Sequence, residues 1–260
     1  MVKVKKIKVC LYNFVILLTI TMLLACSSKK YKNYQTTTSL LNINDSISID
    51  NKTQSFIEPY KKHINKDLDS VLAFNPITQD KSKGSWETNI GNLFSNVTLE
   101  LTRPIFKKRE NKTIDFCILN HGGIRAIIPS GDVTSRTAYE IMPFENSVMV
   151  IGLTGQEVIE LANYILTEKK PHPLEGITIK TNTDYSKVLS VEINDIPLEE
   201  NKIYYVATSD YLANGGDNMS FFKKSSIKYD LDYKLRNVFI DYFKKTDTLP
   251  NIATKHVINE

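Results

Sequence analysis

The stretch DFCILNHGGIRAIIPSGDVTSRTAYEIMPFEN, residues Asp115–Asn146, decides the fold and points to a site. Its first apolar run, Phe116–Leu119, is typical of a buried strand, and two adjacent glycines, Gly122 and Gly123, follow it closely. Paired glycines after a strand indicate a tight turn or a backbone that a ligand approaches closely. Arg125 then puts a planar cation beside this opening, suited to paired acceptor oxygens.

Two interpretations of this stretch stay open on these residues alone. About twenty residues after the glycines, Phe144 and Asn146 add an aromatic ring and an amide just before another apolar strand. A glycine opening, a guanidinium, an amide and an aromatic ring together are typical of a small-ligand site. The alternative is a tight loop with a surface arginine and a core phenylalanine, because short patterns also occur without function.

The first 25 residues are typical of a secretory signal. Four lysines precede an apolar core, Asn13–Leu24, and Leu-Leu-Ala then precedes Cys26. This arrangement resembles a bacterial lipoprotein signal, in which the cysteine is lipidated and begins the mature chain. A single-pass anchor is the alternative, but the apolar core is shorter than the ~20 residues that span a bilayer. We predict a signal peptide at 1–25, lipidation at Cys26 and anchoring in the bacterial cell envelope, at the periplasmic face or the outer membrane.

Composition argues against a nucleic acid polymer as the partner. The chain has 33 basic and 29 acidic residues, but Lys3, Lys5, Lys6 and Lys8 lie in the predicted signal, which has no acidic residue. The rest of the chain is formally neutral and has no cluster of Lys and Arg interleaved with aromatics. The third cysteine, Cys117, lies alone in a predicted buried strand, where it acts as a small core hydrophobe and builds no metal framework.

The chain is predicted to contain one domain, residues 47–260, behind a flexible tether, residues 26–46, that is rich in Lys, Ser, Thr and Asn. Helices and strands alternate without an internal repeat, which predicts an α/β fold with a mixed β-sheet and packed helices. Hydrophobic periodicity, caps and turns predict helices at 54–73, 86–102, 154–169 and 231–243, strands at 47–50, 116–119, 147–153, 176–181, 187–193 and 202–208, and a turn at 131–132.

Six motifs then occur in a fixed order along the chain. Together they resemble the C-terminal domain of the 5′-nucleotidase family, and the resemblance extends from about residue 47 to the end. It implies that family's mixed α/β fold and recognition of a nucleoside monophosphate or nucleoside. The motifs are ETNIGNL at 87–93, NHGGIR at 120–125, GDVT at 131–134, PFEN at 143–146, LTG at 153–155 and YLANGGD at 211–217.

The resemblance also implies roles for individual residues. The base is expected to stack between Phe144 and Tyr211, and Asp217 is expected to bind the ribose hydroxyls. Arg125 is expected to contact the ligand's oxygens. These roles agree with the chemistry of the side chains, because a carboxylate accepts from both hydroxyls of a diol and a guanidinium binds phosphate or ribose oxygens. The predicted substrate-binding set is Asn120, Gly122, Gly123, Arg125, Phe144, Asn146, Tyr211, Gly215, Gly216 and Asp217.

Two positions depart from the family pattern. The family often has an arginine about four residues before the Thr-Asn of ETNIGNL, where this chain has Gly84 with Lys83 beside it. One anion contact is therefore expected to be weakened or moved. His121 stands where the family usually has a small residue, so it is expected to narrow the loop or add a hydrogen bond, and we do not assign it as a catalytic base.

The largest departure is a missing domain. Full enzymes of the family carry an N-terminal metallophosphatase domain whose two metal ions activate water and clamp the phosphate. The four histidines of this chain are scattered, without an Asp-x-His or His-x-His pair. We therefore predict no catalytic residue and no metal in this chain, and a divalent ion (Zn²⁺, Mn²⁺ or Mg²⁺) in a partner metallophosphatase.

Three hypotheses follow for the function. The first is a split phosphohydrolase, in which this chain recognises the nucleotide and a separate metallophosphatase subunit brings the metals. The second is a lipoprotein that binds nucleotides or nucleosides without catalysis. The third is a degenerate domain with a protein–protein role, against which the intact Arg125, Phe144, Tyr211 and Asp217 argue.

Overall fold

The computed structural model describes residues 2–24, 32 and 35–260, in two compact units, Met1–Asn51 and Lys52–Glu260. The described residues of the first unit include helix α1 (Val2–Leu24), in the segment predicted as the signal. The predicted lipidation site, Cys26, lies outside the described residues. The division into a signal, a tether and a domain beginning at residue 47 stays a prediction.

None of the helices in the described part of the chain combines the length and the apolar character that crossing a membrane requires.

The strand predicted at 47–50 is wrong. The chain forms a turn at residues 44–47 instead, closed by a hydrogen bond from the Ile47 N–H to the Asn44 carbonyl at 3.1 Å. The Asn44 side chain accepts from the Ser46 N–H at 3.0 Å, the local bond by which asparagine favours a turn. Alternating side chains alone do not make a strand when no neighbouring strand pairs with them.

The second unit has the predicted mixed α/β fold. Its helices are α2 (Asn51–Leu68), which starts at the unit boundary, α3 (Asn89–Glu110), α4 (Ser135–Ile141), α5 (Gly155–Glu168), α6 (Asp210–Ala213), α7 (Ser220–Lys224) and α8 (Leu235–Lys245). Its strands are β1 (Val71–Asn75), β2 (Phe116–Ile118), β3 (Gly131–Thr134), β4 (Ser147–Thr154), β5 (Leu174–Glu175), β6 (Ile177–Thr181), β7 (Val188–Ile193), β8 (Ile196–Pro197), β9 (Ile203–Ser209), β10 (Lys228–Lys234) and β11 (Val257–Asn259).

A five-stranded sheet in the order β10-β4-β9-β2-β5 forms the centre of the unit. Strands β2 and β9 run parallel, with Phe116 opposite Val206, so their carboxyl ends meet at one edge. Strand β4 runs antiparallel to β9 and pairs Val148 with Ser209, so its beginning meets the same edge. A second sheet has the order β11-β6-β7-β8, and β1 pairs with β3 in a two-stranded ribbon.

Helices cover both faces of the central sheet. Phe116 and Ile118 of β2 face one hydrophobic cluster, to which α5 and the second sheet contribute, while Cys117 faces the other, formed with α3 and α8. Both clusters lie between residues 73 and 257, so the unit Lys52–Glu260 has a complete core of its own and meets the main requirement for folding alone.

The helix predicted at 54–73 ends at Leu68, and the turn predicted at 131–132 is the start of a strand. Residues Val71–Asn75 form strand β1 instead of the end of the helix, because β1 pairs antiparallel with β3, with Asn75 opposite Gly131. The partners lie about sixty residues apart in sequence, so local periodicity could not reveal the pairing.

The helix predicted at 86–102 starts later and runs further. Its N-cap is Thr88, whose Oγ1 accepts from the Gly91 N–H at 3.0 Å, in place of the expected Ser85. Helix α3 continues through Pro104 because one side of it is buried against α8 and the central sheet, and such packing outweighs a local break.

Two further helix predictions have different outcomes. The capping box of Thr154 and Glu157 is confirmed at the start of α5. The helix predicted at 231–243 begins only at Leu235, because the residues before it form β10 and pair with β4.

Candidate functional site

A cavity of about 340 Å³ lies at the edge where β2, β4 and β9 meet. Gly215 and Gly216 of the predicted set line a more open hollow that shares Asn146 and Tyr211 with it. The structure thus brings the predicted set together from three separate loops, while its role in binding a substrate stays a prediction. The cavity is lined by Asn120, Gly122, Gly123, Arg125, Phe144, Asn146, Tyr211 and Asp217.

The first loop is a 3₁₀ turn, His121–Gly123, that follows β2. The Gly123 N–H donates to the Asn120 carbonyl at 3.0 Å. A Cβ at Gly123 would lie 2.7 Å from Asn120 Oδ1, so only glycine lets the amide fold over the turn. Arg125 Nη1 donates to the Gly122 carbonyl at 3.2 Å, which holds the guanidinium at the rim of the cavity.

A second cation, Lys81, reaches the same loop. Its Nζ donates to the Ile124 carbonyl at 2.5 Å, and burial together with the nearby Arg125 lowers the pKa of Lys81. Sequence reasoning missed it and singled out Lys83, which lines a different hollow with Thr88. Lys81 reaches the glycine loop because of the conformation of the loop between β1 and α3. No local sequence pattern predicts that conformation.

The second loop, residues 143–146, follows α4 and carries Phe144 and Asn146. The Phe144 ring is 43% exposed, and Arg125 Cζ lies 5.8 Å from its centroid, within the range of a cation–π contact. The Asn146 carbonyl accepts from the Leu235 N–H at 2.9 Å, which joins the loop to the start of α8.

Arg236 holds this second loop from behind, and sequence reasoning did not identify it. Its guanidinium is buried, forms an ion pair with Glu145 and lies 4.1 Å from the centroid of the Tyr139 ring. It also approaches the carbonyls of Met142 and Pro143 at 3.4 Å each. The ion pair lowers the pKa of the Glu145 carboxyl. The arginine is therefore a positioning residue for the loop.

The third loop follows β9 and carries Tyr211 and Asp217. Tyr211 lies in α6, whose N-cap Ser209 accepts from the Leu212 N–H at 3.1 Å. The Tyr211 ring lies so close to the backbone of the loop that a Cβ at Gly216 would lie 2.5 Å from it. Asp217 itself has a left-handed backbone, at φ 50°.

Two tyrosines fix Asp217. Tyr211 Oη donates to Asp217 Oδ1 at 2.8 Å, and Tyr164 Oη donates to the Asp217 carbonyl at 2.6 Å. Burial raises the pKa of Tyr164 to about 12, so its phenol remains protonated and keeps donating at neutral pH. The carboxylate keeps its second oxygen for a ligand.

A histidine pair supports the glycine loop. The His121 N–H donates to His172 Nδ1 at 3.4 Å, and His172 is buried beside the Tyr164 ring, with centroids 5.8 Å apart. Burial lowers the pKa of His172 to about 4 and also lowers that of His121. Both imidazoles are therefore neutral at pH 7. His121 is not among the residues lining the cavity.

Within residues 2–24, 32 and 35–260, no three or more His, Cys, Asp or Glu side chains are arranged to hold a metal ion. The cavity lining has a single carboxylate, that of Asp217, together with one guanidinium, two amides and two aromatic rings.

A loop-lined cavity at the carboxyl ends of neighbouring parallel strands is typical of α/β ligand-binding domains. The chain belongs to the family described as "5′-nucleotidase, C-terminal domain", whose sequence pattern matches residues 70–224. This match confirms the resemblance seen in the six motifs.

Known relatives extend the comparison. A 5′-nucleotidase of Vibrio parahaemolyticus is 30% identical over 186 residues, which are 60% of this chain and 33% of that protein. The cell wall protein Lmo0130 of Listeria monocytogenes is 26% identical over 204 residues, 73% of this chain and 25% of that protein. The crystal structure of a 5′-nucleotidase precursor from Thermus thermophilus has the same fold, with a TM-score of 0.67 and 24% identity, over 80% of this chain and 43% of that one. The chain thus spans between a quarter and less than half of these relatives.

Proposed function

We propose that this chain is the nucleotide-recognition part of a 5′-nucleotidase-type phosphohydrolase, completed by a separate metallophosphatase chain. Its ligand is a nucleoside monophosphate, or the corresponding nucleoside. The base lies between Phe144 and Tyr211, the ribose hydroxyls bind Asp217, and the anionic group faces Arg125.

The observation that carries this proposal is the composition of the cavity. Stacking on aromatic rings contributes about 1–3 kcal/mol per base and tolerates different bases. The cavity, at about 340 Å³, lies within the range of about 300–1,000 Å³ that is usual for small-ligand sites. Lys81, which does not line the cavity, adds positive charge to the loop that carries Arg125.

A second candidate is a nucleotide- or nucleoside-binding lipoprotein without catalysis. It is favoured by the small number of groups that could stabilise charge on a transferring phosphoryl group, which needs strong electrostatic stabilisation. Among the described residues that line the cavity, Arg125 is the cation that could provide it, and Lys81 contacts the same loop without lining the cavity. Binding of a nucleotide or nucleoside without catalysis requires only the side chains that already line the cavity.

Phosphate release separates the two candidates. Residues 27–260 are incubated with AMP and Mn²⁺, Zn²⁺ or Mg²⁺, first alone and then with a candidate metallophosphatase chain from the same cell. Activity only in the mixture supports the split enzyme, and AMP binding without activity in the mixture supports the binding protein. Phosphate release by this chain alone would contradict the assignment of the chemistry to a partner.

We also propose that the protein works in the cell envelope, held by a lipid on Cys26. The support is the lipoprotein-like signal and a relative that is named a cell wall protein. Labelling cells with a palmitate analogue tests the anchor, since the Cys26→Ser chain should take up no label.

A further inference from the structure

Helix α2 carries a row of large apolar side chains that the domain does not cover. Phe56, Tyr60 and Ile64 follow one another at four-residue steps and so share one side of the helix, with Ile57 beside them. They are 70%, 62%, 53% and 42% exposed, in that order. No residue of α2, all of which the structure describes, is buried. We call these four side chains the α2 stripe.

The α2 stripe lies on a helix whose end is fixed to the domain. Arg136, at the start of α4, donates to Asp69 Oδ1 at 2.6 Å and to Asn65 Oδ1 at 2.9 Å. Helix α4 leads directly into the loop that carries Phe144, so α2 is joined to the wall of the cavity through one short helix. A row of exposed aromatic and branched side chains on an anchored helix is typical of a surface that another molecule covers.

The place of α2 in the chain indicates what covers it. The family match begins at residue 70, just after α2 ends, and the family is by description a C-terminal domain. The match covers 33% of the Vibrio relative, and because the shared domain is by description C-terminal, we expect the rest of such a protein to join it at the end where α2 stands. We propose that the α2 stripe is the docking surface for the separate metallophosphatase chain, an inference that rests on the proposed function.

The charges around the stripe define the partner's surface. Helix α2 has four lysines, Lys52, Lys61, Lys62 and Lys66, against two acidic residues, so it presents a net positive charge. Asp67 lies seven residues after Tyr60, on the same side of the helix, and pairs with His63 at 3.7 Å. The lysines would attract an anionic lipid surface, but burying the Asp67 carboxylate in lipid together with the apolar side is costly. The partner surface that fits is an apolar groove with an acidic rim.

Site-specific photocross-linking tests this docking in the intact cell. The full chain carries Tyr60→p-benzoylphenylalanine, and the control carries the same group in place of Lys62 on the opposite side of α2. The expected product is an adduct between position 60 and a protein with metallophosphatase metal-ligand motifs, absent from the control. Adducts with lipid or a second copy of this chain, or no adduct at all, would overturn the inference.

A second measurement separates this inference from the proposed function. The triple variant Phe56→Ser, Tyr60→Ser, Ile64→Ser is compared with the double variant Leu189→Ser, Ile196→Ser, which removes apolar side chains that are 50% and 61% exposed from β7 and β8. To reach half-maximal AMP hydrolysis, the triple variant should need at least about tenfold more of the phosphatase that the cross-linking identifies. This corresponds to a loss of about 1.4 kcal/mol in docking free energy, and the affinity for AMP should be unchanged. Equal activation of both variants would overturn the docking and leave the proposed function intact. No activation even of the unchanged chain would overturn both.

Discussion

Tyr211 and Asp217 form a closed pair in which each holds the other. The tyrosine Oη donates to Asp217 Oδ1 at 2.8 Å, and the Asp217 N–H donates back to the same Oη at 3.2 Å. The ring expected to stack on a base and the carboxylate expected to bind a ribose therefore move as one unit. Mutations at either residue should affect both parts of the ligand, unless they are chosen to leave this pair in place.

The substitution Asp217→Asn tests the ribose contact with least disturbance. The amide oxygen can still accept from Tyr211, but the negative charge that would accept from the diol is lost. A hydrogen bond to a charged group is worth about 1.5–3 kcal/mol, so adenosine should bind roughly 10- to 150-fold more weakly. Isothermal titration calorimetry should show the affinity for adenine changing by less than about twofold. Equal losses for adenine and adenosine would show that Asp217 does not contact the ribose.

Two substitutions at Tyr211, to Phe and to Ala, separate the effect of ring stacking on the base from the effect of the hydrogen bonds to Asp217. Phenylalanine keeps the ring and loses only the two bonds to Asp217, so it should weaken adenosine binding less than alanine does. Alanine also removes the stack, which is worth about 1–3 kcal/mol. Binding is measured by calorimetry, with circular dichroism as the check on folding. If both variants bind adenosine equally, the ring does not stack on the base.

Arg236→Met should weaken nucleoside binding although Arg236 does not line the cavity. The loop at 143–146 loses its ion pair through Glu145 and its contacts to two backbone carbonyls, so Phe144 becomes less ordered. We expect about a tenfold loss of AMP affinity, equivalent to about 1.4 kcal/mol.

The matched control is Arg103→Met. Arg103 also donates to two backbone carbonyls, Ile114 and Asp115, each at 3.0 Å, but these lie just before β2, at the opposite end of that strand from the cavity. Both variants should lower the melting temperature, and only Arg236→Met should lower the affinity. Arg236→Lys should recover part of the binding. An affinity that falls equally in both methionine variants would mean that the effect is general destabilisation.

The buried His172 should make the domain less stable in mild acid. Its folded-state pKa is about 4 against the ordinary value of 6.5, so the unfolded chain takes up the proton first as pH falls. The stability that comes from keeping His172 neutral is therefore fully present above pH 6.5. Between pH 6.5 and about 4 it is lost, and the free energy of unfolding falls by roughly 3 kcal/mol at most.

Urea unfolding at several pH values measures this loss. The slope of the unfolding free energy against pH should be shallower in His172→Gln than in the unchanged chain. Identical slopes in both proteins would show that His172 is not the group responsible.

Local features of the fold and site could be predicted from the sequence because neighbouring residues determine them. The capping box at Thr154 depends only on the Glu157 side chain three residues later. The turns at Gly122–Gly123 and Gly215–Gly216 depend mainly on the conformational freedom of those glycines. The strand at 147–153 was predictable because it is covered on both faces and reads as a continuous apolar run.

Features that depend on distant partners could not be predicted. Val71 continues the apolar spacing of α2, and only pairing with β3 shows that it belongs to a strand. Lys81 and Arg236 contact the loops of the cavity because of the path of the loop between β1 and α3 and the position of α8, and no local motif indicates either. Residue patterns alone did not indicate that Phe144 and Tyr211 belong to one site. That prediction came from the family resemblance.

Calorimetric titration of residues 27–260 with AMP, without added metal, is the decisive test of nucleotide recognition. We expect saturable binding of one AMP per chain, with affinity reduced at least about tenfold, or about 1.4 kcal/mol, in the Phe144→Ala, Tyr211→Ala double variant. Absence of binding by the unchanged chain, or equal binding by the double variant, would contradict it.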